Sequence, residues 1–311
     1  MSEASKTWPQ KELGKQFNNW GRWGDDDEIG TLNFVTAEKR VQAAGLVKTG
    51  KIFDLGMAFD SQGPQDGSFR INPVHSMTFT PVDTIGAPDG MIAADDMVTM
   101  GLQCATQWDS LAHVGYDGLF YNNVPAESVK TMTGATRNSF AKCVDRLISR
   151  GVLLDIARLK GVDRLADSTE ITADDLTAAE ERQGVKVESG DVLLVRTGTY
   201  QWFLEGDKKR FMGPEPGLGL SCAEWLYKRE VAAVAVDNWA CEVWPSTIEG
   251  SAIPFHMVAI RDIGITIGEM FNFEDLATDC AEDGIYECLF SGVGLKITAS
   301  VGSPLTPMAI K

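Results

Sequence analysis

Histidine is scarce in this chain: His75, His113 and His256 are the only three in 311 residues. Basic side chains are few as well, 28 against 44 acidic ones, for a net charge of −16. That balance disfavours nucleic acid and anionic membrane as partners, because both are held by basic surface. No stretch approaches about eighteen uninterrupted apolar residues, so no membrane span is expected. The opening, Met1-Ser-Glu-Ala-Ser-Lys-Thr-Trp-Pro-Gln10, lacks the basic start and apolar run of an export signal. The six cysteines are scattered without a Cys-x-x-Cys pair, which predicts reduced thiols packed as small hydrophobes in a cytoplasmic protein. Internal repeats and low-complexity linkers are also missing.

The chain does have enough apolar material for a sizeable core, 44% hydrophobic against 23% charged residues. Residues 1–30 read as an irregular arm, aromatic and acidic with glycine punctuation. Thr36 to Gly45 reads as a short capped helix, and 51–100 as short strands between glycine- and proline-rich turns. From residue 150 the pattern is α/β. Val152–Ile156, Asp191–Thr197, Val231–Val236 and Ile263–Gly268 are strand candidates. Thr172–Gly184 is a capped helix, and Ser221-Cys-Ala-Glu224 a capping box opening another. The simplest organisation is an arm with its short helix over 1–50 and one domain over 51–311.

The stretch with most chemistry in it is Gln103-Cys-Ala-Thr-Gln-Trp-Asp-Ser-Leu-Ala-His113. It sets two amides, a carboxylate and an imidazole at short spacing. His256 begins a second segment, His256-Met-Val-Ala-Ile-Arg-Asp-Ile-Gly-Ile-Thr-Ile-Gly-Glu269, which ends in a carboxylate. Carboxylates and imidazoles gathered from two distant segments are how a protein builds a divalent-metal site. The alternative is hydrogen-bonded polar residues in loops.

The first stretch resembles the signature of the metal-dependent cyclase and kynurenine-formamidase family, His-x-Gly-Thr-His-x-Asp-x-Pro-x-His. Thr106, Asp109 and His113 match it, while Gln103 and Gln107 stand in the places of histidines. The second segment resembles that family's His…Glu signature and its Asn-x-x-x-Leu close, here Asn272 to Leu276. Gly151-Val-Leu-Leu-Asp155, Gly190–Gly198 and the terminal Gly302–Ile310 fit in the same order, so the likeness spans roughly 100–311. It implies an α/β fold of the swivelling β/β/α kind, a mixed sheet with flanking helices, and a homodimer or homotetramer.

For the site, the resemblance implies Asp109 as a metal ligand, His113 as the proton-exchanging group beside the metal, and His256 and Glu269 as ligands or holders of the attacking water. Glutamine offers a metal only a neutral carbonyl oxygen, weaker than imidazole. One ion, Zn2+ before Mn2+, is therefore expected instead of two, with Gln103 and Gln107 as extra oxygen ligands or as donors to substrate. The Gln-x-x-x-Gln-x-Asp variant is similar to that of the trans-dienelactone hydrolases. That implies a lactonase working through metal-activated water, with an aryl formamide or cyclic amide of the isatin type as the alternative substrate. A metal-free binding protein on the same fold is the rival reading.

Other residues have two readings each. Trp108 stacks on substrate or packs in the core, and Tyr116 and Tyr121 line the pocket mouth or pack on the arm. His75 is structural or pocket-lining. Asp237, in the loop after a buried strand, is a candidate to support the site. Cys241 has no activating neighbour in sequence, and Gly217-Leu-Gly219 lacks the rest of a dinucleotide fingerprint.

Overall fold

Three short apolar runs, Val-Leu-Leu at 152–154, Val-Leu-Leu-Val at 192–195 and Ala-Val-Ala-Val at 233–236, form the centre of the sheet. The computed structural model describes residues 8–311. Positions 1–7 of the expected arm, and most of the segment judged to lack an export signal, lie outside the described residues. The strands used below are β1 (Ile52–Asp54), β2 (Val74–Phe79), β3 (Asp95–Thr99), β4 (Gln107–Asp109), β5 (Ile148–Asp155), β6 (Val192–Arg196), β7 (Ala233–Val236), β8 (Thr266–Glu269), β9 (Glu287–Ser291), β10 (Gly302–Pro304) and β11 (Met308–Ile310). Nine of them build one curled sheet in the order β1-β11-β9-β5-β6-β7-β8-β4-β10. Strands β5 to β8 run parallel, while β4 lies antiparallel between β8 and β10.

The main helices are α1 (Pro9–Gln16), α2 (Ala37–Ala44), α3 (Ala173–Gln183), α4 (Ser221–Lys228) and α5 (Glu274–Asp283). Because successive strand residues face opposite ways, Leu154, Val195 and Val236 join one core with Leu176 of α3 and Leu226 of α4. Leu153, Leu194 and Ala235 join a second core with Leu276 and Cys280 of α5. Parallel strands covered on both faces need such continuous apolar runs. The expected α/β architecture, a mixed sheet with flanking helices, is the one observed.

Local chemistry explains most boundaries. Thr36 caps α2 by accepting from Lys39 N, and Thr172 and Asp175 form a capping box on α3. Gly184 ends α3 in the left-handed region, at φ 65°. The box expected at Ser221–Glu224 is absent: α4 starts one residue earlier, capped by Leu220 without a side-chain bond. Ser221 Oγ instead accepts from Ala173 N, at the start of α3, so a tertiary contact has taken the capping oxygen. Within the irregular arm lies α1, whose following loop is fixed to the body by Asn19 Nδ2 donating to Ile263 O at 2.9 Å and Trp20 Nε1 to Arg261 O at 2.6 Å. All six cysteines are buried and unpaired. Among the described residues no helix is long and apolar enough to cross a membrane.

Trp108 shows how the site is seated. In β4 the side chains of Gln107 and Asp109 leave one face and Trp108 leaves the other. Its indole is wholly buried between Phe271 and Phe290, and Nε1 donates to Gly292 O at 2.7 Å. Gly268 lies opposite in register, where an added Cβ would come within 2.5 Å of the ring. Trp108→Ala is expected to cost about 3–5 kcal/mol of folding stability through the cavity it leaves, read from urea unfolding midpoints. A loss under about 1 kcal/mol would mean that the ring is not held as described.

Candidate metal centre

Strand register creates the cluster. Antiparallel pairing sets Gln107 opposite Glu269 and Asp109 opposite Ile267, so Gln107, Asp109 and Glu269 share one face at the ends of β4 and β8. Gln107 Nε2 donates to Glu269 Oε2 at 2.6 Å. His256 arrives from the short helical turn Pro254–His256, and its Nε2 lies 3.3 Å from Glu269 Oε1. Asp109, His256 and Glu269 are buried, and each offers a ligand atom within 4.8 Å of the others. They are the one such group among the described residues.

The imidazole of His256 is oriented by Glu242, a residue the sequence reading passed over in favour of Asp237. Glu242 accepts from Phe255 N at 3.0 Å, from His256 N at 2.9 Å and from His256 Nδ1 at 2.5 Å. Donation from Nδ1 leaves Nε2 turned toward the cluster, as a metal-ligating histidine requires. Burial alone would lower the His256 pKa, but the hydrogen bonds to Glu242 and Glu269 overcome it and raise the group to about 10. Burial pushes the Asp109 carboxyl up to about 6, against the opposing pull of His113. His256 therefore keeps its proton through neutral pH, while Asp109 releases its own as pH rises through about 6.

A further buried carboxylate, Glu215, accepts from Trp239 N at 2.9 Å and Ala240 N at 2.8 Å and is pushed well above the usual range by burial. Asp237 holds a different loop, accepting from Thr197 N at 2.8 Å and Gly198 N at 2.7 Å. No sequence spacing distinguishes Glu215 or Glu242 from other acidic residues in loops.

The donor set fits a divalent ion. Both oxygens of Asp109 and Oε1 of Gln107 are buried without a hydrogen-bond donor. Buried acceptors rarely go unpaired, and three of them beside a carboxylate and an imidazole nitrogen are complementary to a cation. Mixed oxygen and nitrogen donors suit Zn2+ or Mn2+.

The remaining candidates fall into three places. His113 is partly exposed on the turn after β4, its Nε2 3.7 Å from Asp109 Oδ1, beside the cluster but beyond hydrogen-bond reach. Gln103 has a buried Nε2 without an acceptor. A Cβ on Gly302, the partner of Asp109 in β10, would come within 2.4 Å of that nitrogen. Trp108 and Tyr121 do not line an opening: both are fully buried, and the Tyr121 hydroxyl donates to Asp27 Oδ2 at 2.9 Å. Tyr116 lies beneath the Arg261 guanidinium and donates to Asp262 Oδ2 at 2.7 Å. His75 sits on the exposed β2–β3 hairpin, 2.7 Å from Asp96 Oδ2.

Glu242→Gln is expected to weaken divalent-ion affinity by about 10–100-fold, the usual effect of losing a carboxylate behind a ligating histidine. Competition with a chromophoric chelator measures it, and affinity within about twofold of wild type would deny Glu242 that role.

The cyclase family matches residues 34–243 of the chain. A solved structure described as a novel cyclase is 38% identical, with a TM-score of 0.88, over 96% of this chain and 99% of that one. Isatin hydrolase A from Ralstonia solanacearum is 17% identical, with a TM-score of 0.62, over 100% of both chains. A predicted metal-dependent hydrolase from Bacillus stearothermophilus is 14% identical, with a TM-score of 0.53, over 84% of this chain and 98% of that one. The last two are likenesses of fold. No curated protein matches the sequence.

Proposed function

We propose that this chain, which belongs to the cyclase family, is a hydrolase that uses one divalent ion, Zn2+ first and Mn2+ second, to open a lactone or related cyclic acyl compound. The observation that carries this reading is the set of donorless buried acceptors, Asp109 Oδ1 and Oδ2 and Gln107 Oε1, next to His256 and Glu269. An ion held by Asp109, His256 and Glu269 supplies Lewis-acid polarisation of an acyl oxygen and makes water acidic near neutral pH. Glu242 fixes the ring of His256, the Gln107 amide N–H fixes Glu269, and the Gln107 oxygen, buried without a donor, is the further ligand. Gln103, with an uncommitted buried N–H, serves as a donor to substrate. His113, partly open to solvent, takes a proton from water and returns it to the leaving oxygen.

Opening of a cyclic amide is the second reading, favoured by the fold likeness to isatin hydrolase. The same proposal includes a homodimer or homotetramer. The β2–β3 hairpin exposes Val74, Met77, Met97 and Val98, and a lone two-stranded ribbon is marginal in water. Light scattering reads that state directly.

Elemental analysis of protein purified without chelator, followed by a screen of lactones, formamides and cyclic imides, tests the function. Retention of near one equivalent of a transition metal with turnover of a lactone is expected. Less than about a tenth of an equivalent, unrecoverable on adding Zn2+ or Mn2+, would leave the metal-free binding protein instead.

A further inference from the structure

We infer that the cleft between Arg158, Arg182 and Tyr286 binds a phosphate group, at a site separate from the metal centre. Binding there requires neither the ion nor hydrolysis. The cleft measures about 200 Å3 and is lined chiefly by Asp155, Arg158, Arg182, Gln183 and Tyr286. It lies outside the carboxyl end of β5, where Asp155 passes into the short helix Ile156–Leu159. Crevices beyond the carboxyl ends of parallel strands are the usual place for ligands in such sheets. Strands β6 and β7 separate β5 from β8, which carries Glu269. Three strand spacings, roughly 14 Å, therefore stand between the two sites.

The acceptors lining the cleft are already committed. Asp155 accepts from Arg158 N at 2.9 Å, Arg158 Nε at 3.3 Å and Arg196 Nη1 at 3.0 Å. Gln183 Oε1 accepts from Asp155 N at 2.9 Å, and its Nε2 donates to Leu153 O at 2.6 Å. What is left over is a set of donors. The terminal nitrogens of Arg158, the whole guanidinium of Arg182 and the Tyr286 hydroxyl meet no acceptor among the described residues. Burial raises the Tyr286 pKa, with Cys280 and Asp155 adding to it, while Arg158 and Arg182 both pull it down. Two positive charges thus surround one hydroxyl.

Arg196 is answered by Glu274 as well as by Asp155, so three guanidiniums meet two carboxylates and one positive charge is in excess. The chain as a whole carries −16, and Arg164, Arg210 and Arg229 are each paired, with Glu205, Asp167 and Glu180. Arg182, in the last turn of α3, suits the dipole of that helix. The dipole gives no reason for Arg158 and a phenol to converge on the same cleft. Donors on three side chains from three segments match the three outward oxygens of a phosphate monoester, whereas one guanidinium fork satisfies a carboxylate. The volume admits a phosphate with a short organic group and excludes larger ligands.

Equilibrium dialysis of the full-length protein, at fixed ionic strength and with or without added Zn2+, tests the site. Inorganic phosphate and glycerol 3-phosphate are the probes, and glycerol is the control. Wild type is expected to bind one phosphate group per chain, with no need of Zn2+. Arg158→Gln and Arg182→Gln should each weaken binding by about 10–100-fold, the worth of a charged hydrogen-bonded contact. Tyr286→Phe should weaken it by about 3–10-fold, and Arg182→Lys should keep part of the affinity. Thermal melts check that each variant is folded, which surface substitutions of this kind leave nearly unchanged. Tighter binding of glycerol 3-phosphate makes a phosphorylated metabolite the occupant, and equal binding makes it free phosphate; either supports the site. Absence of saturable binding to wild type up to about 10 mM overturns the inference. Binding that requires Zn2+, or that both glutamine variants retain within about twofold, overturns it as well.

Discussion

Asp109→Asn is expected to retain the fold yet to lower both divalent-ion affinity and turnover by more than about a hundredfold, beyond the usual loss for a residue that merely supports a ligand. Asparagine keeps the shape and one carbonyl oxygen of the aspartate, but no charge. What is removed is one of the cluster's two carboxylates, the one whose oxygens both lack a protein donor. The same change should make the metal-free protein less sensitive to pH. In the folded chain burial raises the Asp109 carboxyl from 3.8 to about 6. The charged form is therefore penalised above pH 6, and the penalty disappears as pH falls through 6 toward 3.8. Asp109 thus makes metal-free wild type more stable on acidification across that window, and the asparagine variant would lack the contribution. Elemental analysis and thermal melts at about pH 5 and about pH 8, on either side of the raised carboxyl, read both effects. Full ion retention by the variant would displace Asp109 from the ligand set.

His113→Ala is expected to lower turnover by about 10²–10⁴-fold, the range for a positioned acid–base group, while the bound ion is kept. The 3.7 Å separation of His113 Nε2 from Asp109 Oδ1 and its partial exposure put it beside the cluster, with a path to water. Exogenous imidazole should restore part of the rate if the side chain acts by moving a proton. Loss of the ion on this substitution would instead make His113 a ligand, and a rate within about threefold of wild type would leave the proton transfer to another group.

The helices were easiest to read because their ends are decided locally. Thr172, Asp175 and Gly184 act within a few residues of themselves. Ser221 shows the limit, since its oxygen is taken by Ala173 from a different segment. At the site, the two segments were recognisable by resemblance, but what joins them is the pairing of β4 with β8, a long-range match that local pattern does not encode. Trp108 was ambiguous for a related reason. A three-residue strand is too short to display alternation, so the sequence did not tell which face the indole takes. Glu242 lay beyond sequence reasoning because it acts through contacts with a distant backbone, at Phe255 and His256.

The three bonds received by Glu242 have a kinetic consequence. One carboxylate grips both the peptide N–H groups of a helical turn and the ring that the turn presents, so the imidazole cannot swing aside without unwinding its own support. If His256 ligates an ion, as proposed, its geometry would be inherited from the backbone before any ion arrives. Loading should then proceed as an exchange of protons for a cation at a fixed frame, with a rate that climbs with pH and an amide-exchange pattern around 254–256 that scarcely changes.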